Sequence, residues 1–127
     1  MSKGTIMVRS VFLGIVCSVC FAVSARAADD VMAGFYGNTT VATGGKAETH
    51  SLYNPDHSFV MKVPMYGMEF KGTWTVNGSQ LCRTFDSPPP GVTNPLCTPI
   101  EAHKVGDTWT VGTGSGQRTV TLVQGVQ

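Results

Sequence analysis

The 127-residue chain predicts an all-β domain: an eight-stranded antiparallel meander closing into a small up-and-down barrel or flattened barrel. Three observations predict it. Short segments rich in Val, Thr, Tyr, Phe and Trp are cut at close intervals by Gly, Pro and Asn, the pattern of strands and turns. No segment past position 27 holds a helical apolar period over ten residues. The connections TGGK, NPDH, PMYG and NG are short and carry ordinary turn residues, so consecutive strands lie side by side.

The first 27 residues stand apart from this domain. MSKGTIMVRS carries Lys3 and Arg9 and no acid. VFLGIVCSVCFAV (11–23) is an apolar run of about 13 residues, short of the roughly 20 a membrane span needs. SARA then puts Ala25 and Ala27 at the −3 and −1 positions of a cleavage site. The chain is therefore expected to lose residues 1–27 as a signal peptide, cut between Ala27 and Ala28, and to work in the periplasm or outside the cell. Cys17 and Cys20 spell C-x-x-C but leave with the peptide, and Val16 and Val19 before them do not fit a lipoprotein site.

The remaining domain is 28–127. Removing Lys3, Arg9 and Arg26 from the nine basic residues leaves six against eight acids, a net charge of −2. With no basic patch, nucleic acid is not an expected partner. No second apolar span or basic amphipathic helix points to a membrane. DDVMAGF, from Asp29, allows one helical turn at most. The eight expected strands are 34–42, 47–53, 57–63, 68–76, 79–85, 96–102, 108–112 and 118–124. DSPPPGVTNP is the one long connection, and its prolines make it stiff. Pro99 cannot donate a ladder hydrogen bond, so its strand is expected at an edge or bulged. In an oxidising compartment Cys82 and Cys97 are expected to pair, and a loop of about 15 residues makes such a bond worth roughly 3 kcal/mol.

The stretch HSFVMKVPMYGMEFKGTW (57–74) can be folded on paper. With PMYG as a four-residue loop, Val63 faces Met68 and side chains alternate between faces. One face then holds His57, Phe59, Met61 and Val63 against Met68, Phe70, Gly72 and Trp74. The other sets Lys62 across from Glu69, a favourable charge pair. Along the strand, His57 lies about 13 Å from Met61, and Met68 about 20 Å from Trp74, so one ion cannot gather all four. Met61 and Met68 read as core filler; Met65 is expected to be exposed. A copper(I) site of Met61, Met65 and Met68 is the weaker alternative. Asn77-Gly78 is a hairpin signal. It pairs Trp74 with Leu81 and Gly72 with Arg83, and turns Leu81, Arg83 and Phe85 inward, with the glycine leaving Arg83 room. An inward Arg83 either grips a carboxylate or phosphate, pairs with an interior acid, or snorkels out of the mouth. A bulge after Gly78 would instead send it outside.

His50, His57 and His103 have no metal-ligand spacing, and no nucleophile elbow, P-loop or dinucleotide motif occurs in the domain. GTGSG (112–116) joins two strands and reads as a hairpin loop. Trp74 and Trp109 share the context T-W-T-V and are both expected inside, as core or as the wall of a ligand cavity.

With GTWTVNGSQLC (72–82), Cys97 and VGDTWTV (105–111), the chain resembles a group of small exported proteobacterial proteins. Their pattern is a G-x-W-x-V-x-G-x-x-L-C hairpin, a second cysteine and a V-G-D-x-W strand. The resemblance covers most of the domain and implies its architecture; it brings no activity and no catalytic residue. Gly72-Thr73-Trp74 is also similar to the lipocalin G-x-W, which in lipocalins lies on the first strand and here on the fourth.

The functional expectation is a non-enzymatic binding module for a small apolar or amphipathic ligand or a protein partner. Its cavity would be lined by Phe59, Met61, Phe70, Trp74 and Trp109 with Arg83 as polar anchor, and no cofactor is implied. The alternative is a small cavity enzyme using His57 or His50 with Arg83 on an anionic or carbonyl substrate.

Overall fold

The structure, a computed structural model, describes Gly14 and residues 23–127. Most of the expected signal peptide, 1–13 and 15–22, lies outside the described residues. One helix, α1 (Val23–Met32), is followed by eight strands. They are β1 (Thr39–Thr43), β2 (Thr49–Tyr53), β3 (Ser58–Val63), β4 (Met68–Asn77), β5 (Gln80–Phe85), β6 (Leu96–Pro99), β7 (Thr108–Val111) and β8 (Arg118–Val123). The helix corrects the expectation of a single turn: it runs across the expected cleavage bond, and only Ala28–Met32 lie beyond that bond. Ala28 and Met32 are buried against the barrel.

All strand pairs are antiparallel, and the order around the sheet is β6-β5-β4-β3-β2-β1-β8-β7. First and last strands therefore join: β1 pairs β8 over five positions, Thr39↔Val123 to Thr43↔Thr119. The wall is nearly closed, and its seam falls between β6 and β7. Pro99 sits on that seam, where its missing N–H breaks no ladder. The expected strand 34–42 is shorter than expected; Tyr36 makes only an isolated parallel bridge to Tyr53.

The first hairpin has the expected register, with Val63↔Met68, Lys62↔Glu69 and Met61↔Phe70. The second is displaced by two residues. Gly78 and Ser79 form the turn, Asn77 pairs Gln80, and Trp74 meets Arg83 while Gly72 meets Phe85. Gly78 takes the positive φ of 60° at the first turn position, where glycine is favoured. A shift of two keeps every side chain on its expected face. Leu81, Arg83 and Phe85 still point inward, with no bulge, but the room at Gly72 goes to Phe59 and Phe85 rather than Arg83.

One end of the barrel is packed solid. Met32 and Phe35 plug it from below, and Phe59, Trp74, Phe85 and Leu122 fill it. Phe59 and Phe85 meet edge to face at 5.1 Å. The Trp74 indole N–H donates to the Asn54 carbonyl at 3.1 Å, so the buried ring leaves no polar atom unpaired. Cys82 and Cys97 are direct partners across β5 and β6 and form the disulfide.

Candidate ligand-binding cavity

The other end is hollow. A cavity of about 350 Å³ lies where β1 ends and β2 and β8 begin, and it reaches down to Phe35 and Tyr53. That is at the small end of the range for ligand pockets. Its wall follows from strand alternation: Thr49 and Ser51 on β2, Met61 and Val63 on β3, Phe70 on β4 and Val120 on β8 all face in. Leu81 on β5, Leu96 and Thr98 on β6, Val111 on β7, and Pro89 and Val92 of the 86–95 loop also line it. That loop is held by Asn94, whose amide mimics a strand partner: it accepts from the Phe85 N–H at 2.9 Å and donates to the Phe85 carbonyl at 3.1 Å.

Of the residues expected to line a cavity, Arg83, Met61, Phe70 and Trp109 do so. Phe59 and Trp74 do not; they belong to the packed end. The three methionines separate. Met61 faces the cavity, Met65 stands 68 % exposed in a 3₁₀ turn, and Met68 is 44 % exposed at the rim, so it is not the core filler expected of it. The methionine positions thus put one sulfur inside and two outside. Among the described residues no three His, Cys, Asp or Glu side chains gather at one point.

None of the histidines lines this cavity. His50 pairs with Val41 and Lys62 on the outer face and contacts Glu48 at 2.6 Å. His57 is not on the inner strand face. It occupies the left-handed position (φ 69°) that ends the NPDH turn, exposed, with its ring stacked on Trp74 at 4.1 Å. Its Nδ1–H donates to the Trp74 carbonyl at 3.0 Å, and the Trp74 N–H donates back to the His57 carbonyl at 2.8 Å. His57 thus covers Trp74 from outside. His103 stacks on Trp109 at 3.5 Å, lies edge-on to Phe35 at 6.2 Å, and its Nδ1–H reaches Asp107 at 3.3 Å. The Lys104 N–H, followed by His103, holds the Asp107 carboxyl below the usual carboxylate range.

Arg118 is the residue that sequence reasoning left out. It lines the same cavity as Arg83. It donates to the carbonyls of Ala42 at 3.1 Å and Ala47 at 2.7 Å, and lies over Gly45, where a side chain would crowd its guanidinium. Burial, and then the charge of Arg83, lower the Arg118 pKa from its ordinary value. The signal was present: Arg118, Val120 and Leu122 alternate along one strand, so the face that buries Val120 and Leu122 also takes Arg118 inward.

The cavity lining holds two arginines and no acid. The ion pairs among the described residues are His50–Glu48, Lys71–Glu69 and His103–Asp107, none of which involves Arg83 or Arg118. The interior acid considered as a partner for Arg83 is therefore not there.

No family model, curated protein or solved structure matches the chain. No described helix is long and apolar enough to cross a membrane.

Proposed function

We infer that this protein is an exported binding module that holds a small apolar or amphipathic ligand inside its barrel, with Arg83 as the polar anchor. The observation that carries this reading is the division of the interior. One end is packed to zero exposure at Trp74 and Leu122, while the other keeps about 350 Å³ open behind an apolar wall. Interiors are normally close-packed, and a small barrel has side chains enough to fill itself. Here Ala42, Ala47, Thr49 and Ser51 stand where larger residues would close the space. Catalysis has no support from the positions of His50 and His57, which lie outside the cavity.

The test is native mass spectrometry of the protein purified from its own exported fraction. A non-covalent adduct of a few hundred daltons, released on denaturation, is expected. Met61→Trp, which fills the hollow from β3, should fold and lose the adduct. An adduct retained by the filled variant would place the ligand elsewhere and refute the interior site.

A further inference from the structure

We propose that Arg83 and Arg118 form a paired oxyanion grip, and that the ligand is a single-tailed amphiphile with a carboxylate or phosphate head. This rests on the interior-binding reading and narrows it to a ligand class.

The argument starts from charge. Two guanidinium groups share one apolar hollow, and neither has an acidic partner among the described residues. Both side chains are half-buried, and a charge taken even partly out of water is stabilised by a counter-charge. The Nε atoms of both arginines are buried and have no protein acceptor within hydrogen-bonding distance. Arg118 at least spends part of its fork on two backbone carbonyls; among the described residues Arg83 makes no side-chain hydrogen bond. The chain even makes room for this arrangement: Gly45 is passed by the Arg118 guanidinium at a distance that leaves a Cβ only 3.2 Å from Cζ. An oxyanion between the two forks would supply both the missing charge and the missing acceptors, the task to which the planar guanidinium is best suited.

The tail follows from the remaining space. At about 30 Å³ per water-sized group, the hollow holds roughly a dozen non-hydrogen atoms. Met61, Val63, Phe70 and Val120 offer that tail an apolar wall. A ten-carbon chain with a small head fits this size, whereas a long-chain fatty acid would have to project through the mouth or the seam.

The experiment is calorimetric titration of the disulfide-intact domain with three ten-carbon probes: decanoate, decyl phosphate and decanol. At least one anion should bind about 10- to 100-fold more tightly than decanol, the range expected for charge-assisted hydrogen bonds. Whichever anion leads identifies the head. Arg83→Gln should abolish that anion's advantage over decanol measured on the same variant. Arg118→Gln should do the same; because Arg118 also ties down Ala42 and Ala47, the Arg83 variant decides if the Arg118 variant unfolds. Decanol binding as tightly as both anions would overturn the oxyanion grip while keeping the interior site. So would an Arg83→Gln protein that binds the anions unchanged. Failure of all three probes to bind would overturn the interior site and this inference together.

Discussion

Gly72 shows how a single residue carries the packing. A Cβ at this position would run into the Thr84 carbonyl and lie 2.9 Å from the Phe59 ring, so only glycine lets β5 and the Phe59 side chain approach β4. Gly72→Ala is expected to cost about 1–3 kcal/mol, as overpacking does, read as a lowered urea midpoint with unchanged slope. An unshifted midpoint would mean that the strands can part there without cost. The G-x-W pair is thus two halves of one packing device, glycine for approach and Trp74 for bulk. At this scale the sequence was readable wherever side chains alternate. Met61, Phe70 and Arg83 face inward because their neighbours face outward. Arg118 was just as readable by its spacing to Val120 and Leu122. Alternation says nothing of depth, however: Met68 has inward parity but sits at the rim, where the wall ends.

Elements show what ties the wall together. Among the described residues β6 has one neighbour, β5, and meets it over four residue pairs, one of them the disulfide. The Cys82→Ser/Cys97→Ser double variant is expected to lose about 3 kcal/mol by the chain-entropy argument. Hydrogen exchange should show the first and largest gain in exchange over 96–99, because β6 forms the edge at the seam. Uniform loss of protection across all eight strands would mean that β6 is no more separable than the rest. The element boundaries explain two departures from expectation. Asn77-Gly78 marks a turn, yet leaves open which two residues occupy its centre, and Gly78-Ser79 satisfies the positive φ as well. The helix escaped because half of its residues precede Ala28, in a stretch read as a leader rather than as part of a fold.

For the whole molecule, eight strands and a barrel-like closure were legible, and so was one side of the seam, from Pro99 on β6; that β7 forms the other side was not. Periodicity and turn length determine which strands are neighbours in sequence; they do not determine where a curled sheet meets itself. The β1–β8 ladder joins the first and last strands, Thr39 with Val123. Deleting 118–127 removes a partner from β1 and, among the described residues, the one partner of β7. It also takes Leu122 out of the core and Arg118 out of the cavity. The shortened chain is expected to show no cooperative thermal transition by near-ultraviolet circular dichroism. A sharp transition would mean that β1–β6 form a domain on their own.

That same ladder sets a clock. A chain made from its N-terminus must reach β8, Arg118–Val123, before β1 finds its second neighbour. Contacts so distant in sequence are slow to form. Until then the hollow has no wall on one side, and Arg118, half of the proposed grip, has not arrived. The proposed binding site therefore closes only once β8 is made, and a chain that stops short of β8 has Arg83 and the apolar wall of β3 and β4 but not Arg118.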